Sequence, residues 1–355
     1  MKITQLCSHP IIQAPMAGGA TTPELVAAVS NAGALGSLAA PLLTPLAIIE
    51  QAEHIRRLTD KPFAINLFVQ TRPQIDDAVL ESAKQLLQPV WQSLGWDGLP
   101  TPTRWCEDFD AQLDALLIAR PAVASFTFDI LHASQIQRLH EAGILVVGTA
   151  TNLAEAQVWQ AMGADAICLQ GVEAGGHRGT FIGRQEDATL GIMDLLRQVQ
   201  PHSRLPLIAA GGIMHGRDIA QVLQAGAQMV QMGTAFLTTD EAAIHPAYKA
   251  KLLELASQDE PDAQDATMQT RAFSGRIARG VRNRFMQTMQ AVAGQVPAYP
   301  IQNALTGSLR AHAAKTNDTE LMSMWAGQGA HRVRQMTAAA LIATLVAELQ
   351  QHQSH

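Results

Sequence analysis

His177 lies in Gln170-Gly171-Val172-Glu173-Ala174-Gly175-Gly176-His177-Arg178-Gly179, an imidazole among four glycines directly after an apolar run. With an ordinary pKa near 6.5, a histidine in a pliable loop can take, give or share a proton at neutral pH. The chain has 12 histidines, so a surface-loop residue is the plain competing reading, and the glycine setting favours chemistry. Two more glycine turns follow, Ala209-Ala210-Gly211-Gly212-Ile213 and Gln231-Met232-Gly233-Thr234. Without a Cβ in the way, backbone N–H groups there can approach a phosphate closely. Either turn alone is most simply a tight bend; both at the ends of successive strands point to a phosphate cradle.

Asn66 sits in the apolar run Ala64-Ile65-Asn66-Leu67-Phe68, and Gln170 and Gln231 also fall at the ends of such runs. A buried amide must find partners, so each either pairs with neighbouring backbone or meets a ligand. Three uncharged amides around one cavity suit the edge of a neutral heterocycle, such as a flavin ring, better than a metal. No cluster of His, Cys, Asp and Glu has metal-ligand spacing, and there is no G-x-S-x-G elbow or Walker loop.

The elements that must position these residues are short apolar runs: Ile11–Pro15, Ala34–Ala39, Phe63–Val69, Ala122–Phe128, Ile144–Ala150, Ala166–Gly171, Leu205–Gly211 and Met229–Leu237. Near-continuous apolarity predicts parallel strands covered on both faces. Between them lie helical stretches, such as Leu25–Asn31 opened by Thr22-Pro23-Glu24 and Leu153–Met162 opened by Thr151-Asn152 and stopped by Gly163. This alternation predicts an α/β fold, a (β/α)8 TIM barrel with its site at the C-terminal face. A Rossmann-like sheet is the runner-up, but Met16-Ala17-Gly18-Gly19, not G-x-G-x-x-G, follows the first strand.

A barrel needs roughly 250 residues, and this chain has 355. The surplus falls in 70–121, with Trp91, Trp96 and Trp105, and in 238–320, with the acidic run Asp259–Asp265. Both leave the C-terminal face, which predicts a smaller, mostly helical lid over the mouth. The barrel then comprises 1–69, 122–237 and a C-terminal helix within 321–355.

Only 16% of residues are charged, which excludes a disordered chain or coiled coil, and a net charge of −6 gives no footprint for nucleic acid or an anionic membrane. Cys7, Cys106 and Cys168 are widely spaced, and Met1 to Pro15 has no signal-peptide pattern, so a reducing cytoplasm is expected. The apolar segment Ala338–Leu349 is too short to span a bilayer.

Taken in order, Gln13-Ala14-Pro15-Met16-Ala17-Gly18-Gly19, Asn66-Leu67-Phe68, Ser125-Phe126-Thr127-Phe128, the Glu173–Gly179 loop and the two glycine turns resemble the nitronate monooxygenases, formerly called 2-nitropropane dioxygenases. Thr270-Arg271-Ala272-Phe273-Ser274-Gly275-Arg276, Arg282-Asn283-Arg284-Phe285, Pro300-Ile301-Gln302-Asn303-Ala304-Leu305-Thr306 and Ser323-Met324-Trp325-Ala326-Gly327-Gln328-Gly329 resemble its class I branch. The resemblance covers nearly the whole chain. It implies a flavoprotein that uses FMN and O2 to oxidise alkyl nitronates, propionate 3-nitronate being characteristic, with no nicotinamide requirement. It places FMN against Asn66, Gln170, Gly175, Gly211, Gly212, Gln231, Met232, Gly233 and Thr234, with Met16 near the flavin. It makes His177 the active-site histidine, hydrogen-bonding the nitronate or acting as base on a neutral nitroalkane. A homodimer is one assembly this reading admits. Arg178, Arg276, Arg282 and Lys315 are the basic residues considered for a substrate carboxylate.

One position departs from the pattern. The family's Ser-Phe-x-Phe commonly runs on into Gly, where this chain has Asp129. Asp129 is expected to cap a helix starting near Leu131; the other use is to face the cavity, where it would repel an anionic nitronate. Two other functions fit the motifs: an FMN-dependent NAD(P)H:quinone or enoyl-thioester reductase, and a flavin-binding protein without turnover.

Overall fold

Strands that are apolar on both faces must be covered on both faces, and closing a parallel sheet on itself achieves this for all of them at once. The computed structural model describes residues 2–258 and 266–353, so the run Asp259–Asp265 lies outside the described residues. Strands β1 (Ile11–Gln13), β2 (Gly36–Ala39), β3 (Phe63–Phe68), β4 (Val123–Thr127), β5 (Leu145–Ala150) and β6 (Ala166–Gln170) are followed by the short outlying β7 (Gly176–His177), then by β8 (Leu207–Ala210) and β9 (Met229–Met232). All but β7 form one eight-stranded parallel sheet, in which β8 pairs with β6 and β9 with β1. The ring closes between β1 and the start of β2: Leu35 N–H donates to Ile11 O at 2.9 Å and Gln13 N–H to Leu35 O at 3.0 Å. The chain thus folds as the barrel its apolar runs predict. The last expected strand is shorter than the apolar run, because the chain bends at Gly233 and Thr234–Phe236 curls into a 3-10 turn.

Residues facing the barrel axis, including Ile12, Leu35, Ala64, Val123, Val147, Cys168 and Ile208, form a core of their own, and Ile3 packs with them. The larger core lies between strands and helices. The helices are α1 (Pro23–Asn31), α2 (Pro45–Leu58), α3 (Asp77–Leu86), α4 (Gln88–Ser93), α5 (Phe109–Ala119), α6 (Ala133–Glu141), α7 (Leu153–Met162), α8 (Ile192–Val199), α9 (Gly216–Gln224), α10 (Pro246–Ser257), α11 (Arg284–Gln290), α12 (Ile301–Leu305), α13 (Gly307–Thr316) and α14 (Ala338–Gln353). Thr22 caps α1 by accepting the Leu25 N–H at 3.0 Å, with Pro23 in the first turn. Asn152 caps α7, which ends at Gly163 with φ 92°. Helix α14 packs on α9 and α1 and closes the helical ring.

The two added stretches behave differently. Within 70–121, α5 packs against α2 and β3 as the barrel's own helix between β3 and β4, so only α3, α4 and the following turns are extra. Within 238–320, β10 (Thr267–Thr270) and β11 (Ala278–Val281) form a hairpin whose second strand pairs with β7, Ala278 opposite His177 and Arg279 opposite Gly176. The second stretch therefore holds the His177 loop in place by a β-ladder. No helix among the described residues is long and apolar enough to cross a membrane.

Candidate active site

The C-terminal ends of the strands open into a cavity of about 520 Å³, and His177 and every residue expected to hold the cofactor line it: Met16, Asn66, Gln170, Gly175, Gly211, Gly212, Gln231, Met232, Gly233 and Thr234. The 70–121 stretch contributes none of the lining, contrary to the expectation that both surplus stretches roof the mouth. Its apolar residues are spent as a buttress instead: Trp96 meets His312 on α13 edge to face, ring centres 5.4 Å apart. The roof comes from the later stretch, through Tyr248, Tyr299, Asn303, Gly307 and Arg310, and from Trp325 beyond it.

At one end lies the glycine cradle. Gly211 and Gly212 have φ of 122° and 70°, backbone that favours glycine. The N–H groups of Gly212, Ile213 and Gly233 donate to no described residue. Orphaned donors converging on a cavity are what a phosphate requires. The turn is fixed from the far end of the chain: Arg332 Nη2 donates to Gly212 O at 2.6 Å while its Nη1 pairs with Asp218 at 3.0 Å, and Asp218 accepts the Met214 N–H at 2.8 Å. Gly327 N–H donates to Thr234 Oγ1 at 2.9 Å, and a Cβ on Gly175 would stand 2.5 Å from Gly327 N. The residues present fit a phosphorylated ligand.

The three amides turn out to be unequal. Asn66 Nδ2 donates to both Ser125 O and Ser125 Oγ at 3.0 Å. Gln170 is committed to its own loop: Nε2 donates to His177 O at 2.9 Å, and Oε1 accepts from Gly179 N at 2.8 Å and Arg178 Nη1 at 3.1 Å. Gln231 lines the cavity with no hydrogen bond of its side chain to a described residue, which leaves its amide for a ligand.

His177 stands in an aromatic box, its ring centre 5.4 Å from Trp325, 5.6 Å from Phe128, 5.8 Å from Tyr299 and 6.1 Å from Phe68. Its Nε2 lies 2.8 Å from Ser274 Oγ, and Ser274 Oγ donates to Arg276 O at 3.1 Å. With the hydroxyl proton used there, His177 Nε2 is the donor and Nδ1 keeps the lone pair. Enclosure, then the nearby Arg276 and Arg310 charges, push its pKa down to about 3, so the imidazole is neutral at physiological pH rather than poised near 6.5. Phe128 has φ 89°, rare for a bulky residue; its ring stacks on Phe68 with centres 4.0 Å apart, and the Arg276 guanidinium sits 4.1 Å above it. Strain of this kind persists only where the surroundings impose it.

Asp129, next in the chain, follows neither expectation. It is exposed and absent from the cavity lining, so it does not repel an anionic ligand there. Nor does it cap a helix: α6 begins at Ala133 with His132 at its N-cap, and the Asp129 carboxylate accepts the adjacent Ile130 N–H at 2.8 Å. Of the four basic residues considered for a substrate carboxylate, Arg178 is buried and donates to Gln170, Gly171 and Ala188 carbonyls, while Arg276 donates to the carbonyls of Arg178 and Thr180. Lys315 is exposed, and neither it nor Arg282 lines the cavity. The arginine that does is Arg310, for which no local motif gave a signal; Tyr299 was missed for the same reason.

Comparison with known proteins bears on this site directly. A family model described as nitronate monooxygenase matches residues 1–348. Relatives named probable nitronate monooxygenase in Staphylococcus aureus strains are 36% identical over 353 residues, covering 99% of this chain and 97% of theirs. Among solved structures, nitroalkane oxidase from Streptomyces ansochromogenes is 40% identical with a TM-score of 0.90, and 99% of each chain is covered. FabK from Thermotoga maritima is 27% identical with a TM-score of 0.75, covering 99% of this chain and 96% of its own. The match runs through the barrel, the hairpin that holds His177 and the roof segment alike, and by it the chain belongs to the nitronate monooxygenase family.

Proposed function

We propose that this protein is an FMN-dependent monooxygenase that oxidises alkyl nitronates of the propionate 3-nitronate type with O2, giving a carbonyl product with nitrite or nitrate. The cradle of Gly211, Gly212, Ile213, Gly233 and Thr234 would hold the FMN phosphate, while Met16, Asn66, Gly175, Gln170, Gln231 and Met232 would border the ring system, with Gln231 the amide free to bond it. FMN held there would supply the electron transfer from the substrate that allows O2 to react with it.

The remaining work falls to the chain's own residues, and the observation that carries the reading is the state of His177. A nitronate is already deprotonated, so it needs a neutral, oriented partner in an electropositive pocket and no strong base. A histidine held near pKa 3 in reach of Arg276 and Arg310 meets that need. It is a poor base toward the α-proton of a neutral nitroalkane in the free enzyme. Ser274 fixes the ring, and the Nε2 proton, shared with Ser274 Oγ, is the donor the neutral imidazole can offer to an oxygen of the bound nitronate. Phe68, Phe128, Tyr299 and Trp325 exclude water around it.

The test is to load the protein with FMN and supply propionate 3-nitronate or nitroethane while following O2 uptake and nitrite. Nitronate turnover without NAD(P)H, far exceeding nitroalkane turnover, is expected; inactivity toward both overturns the proposal. The likeness to FabK favours one competing reading, a reductase fed by NAD(P)H, in which the flavin band bleaches on anaerobic addition of NADH.

A further inference from the structure

Arg310 lines the cavity roof on α13, and among the described residues it is the one arginine or lysine of the lining, in which no Asp or Glu stands. Its Nη2 donates to Asn303 O at 2.6 Å and to Asn303 Oδ1 at 3.2 Å. Its Nε is sealed from solvent without a partner, and Nη1 makes no hydrogen bond to a described residue. Among the described residues no carboxylate supports its charge: burial lowers its pKa, and the group acting against that is the Tyr299 phenol. An enclosed guanidinium without an anion is costly, and fixing Nη2 on Asn303 orients the fork and leaves Nη1 for a ligand in the cavity. Tyr299 lies between the two recognition points, with its ring 5.8 Å from that of His177 and its phenol within electrostatic reach of Arg310.

We propose that Arg310 is a specificity-determining residue that receives a carboxylate on the substrate's tail while the nitronate end lies at His177. This rests on the nitronate reading for the identity of the reacting end, but the anion receptor itself does not. The preferred substrates are then short nitronates with a second negative charge, and Asn303 is a positioning residue that aims the guanidinium.

Two measurements on the FMN-loaded protein separate the claims. Propionate, which carries the tail anion and cannot react, is titrated by following Trp325 fluorescence in wild type, Arg310→Gln, Arg310→Lys and Asn303→Ala, with propionamide as the uncharged control. Turnover is compared for propionate 3-nitronate and propyl-1-nitronate. Propionate binding is expected to weaken at least tenfold in Arg310→Gln, with partial retention in Arg310→Lys and an intermediate loss in Asn303→Ala. The preference for propionate 3-nitronate over propyl-1-nitronate, read as the ratio of their kcat/KM values, should fall by a similar factor, with the loss lying mainly in the KM for propionate 3-nitronate. Equal propionate binding in wild type and Arg310→Gln overturns the proposal, as does an equal rise in KM for both nitronates, which would put the nitronate itself on Arg310. Loss of propionate binding in a protein that oxidises no nitronate would uphold the receptor and refute the oxidation chemistry.

Discussion

Gly212→Ala tests the phosphate cradle at its left-handed turn. Gly212 has φ 70°, and a Cβ there would stand 3.1 Å from Glu173 Cβ. A left-handed alanine costs about 1–2 kcal/mol. Glu173 cannot yield freely, because both its carboxylate oxygens accept the Ile192 N–H at 3.1 Å. Relief must come from the turn itself, which swings the Gly212 and Ile213 N–H groups off line. A hydrogen bond to a charged group is worth about 1.5–3 kcal/mol, so loss of one weakens FMN roughly tenfold to a hundredfold at about 1.4 kcal/mol per decade. The assay is quenching of flavin fluorescence on binding, run with FMN and with riboflavin, which lacks the phosphate. FMN affinity should fall by one to two orders of magnitude and riboflavin affinity should stay within a few-fold. A parallel loss for both ligands would refute the assignment of phosphate to this turn and make Gly212 a purely structural bend.

Ser274→Ala removes the acceptor of the His177 Nε2 proton, 2.8 Å away; one net hydrogen bond of about 0.5–1.5 kcal/mol should appear as a two- to tenfold fall in kcat/KM for nitronate, with FMN affinity unchanged. Because enclosure and two arginines hold His177 near pKa 3, nitronate turnover should show no ionisation of this residue between pH 5 and 8, read from a kcat/KM profile. The same depression has a stability consequence: the unfolded chain binds a proton below pH 6.5 that the folded site refuses, so stability falls as pH drops from about 6.5 toward 3. His177→Asn should remove that part of the acid slope in urea titrations at several pH values. Phe128→Gly relieves a left-handed residue by roughly 1–3 kcal/mol but deletes a buried ring stacked on Phe68, at about 3–5 kcal/mol; a lower Tm with a large fall in turnover is expected, and retained turnover would show that the ring is dispensable.

The barrel was legible because each strand is a local apolar run and each helix start a local cap, as at Thr22 and Asn152. His177 and the glycine turns were legible for the same reason, since their motifs are contiguous. What escaped was whatever depends on segments far apart in sequence. Tyr299 and Arg310 reach the cavity from a segment more than a hundred residues beyond His177, and an arginine in a polar helix reads as solvent-exposed until the fold encloses it. The division among the amides was equally hidden, because Gln170 is claimed by its own loop through Arg178 and Gly179. Asp129 misled because an acid before a helical pattern usually caps it, whereas the strained Phe128 turn moves the helix start on to Ala133. The buttress formed by Trp96 against His312 is a contact between two surplus stretches, for which no periodicity gives a sign.

The most direct test of the central claim is anaerobic mixing of the FMN-loaded protein with propionate 3-nitronate, and separately with NADH, while recording the flavin absorption band. Rapid bleaching by the nitronate, recovery of the band on admitting O2 with release of nitrite, and no comparable bleaching by NADH are expected. Bleaching by NADH alone, with the nitronate leaving the band unchanged, would contradict it and place this site among the nicotinamide-fed reductases.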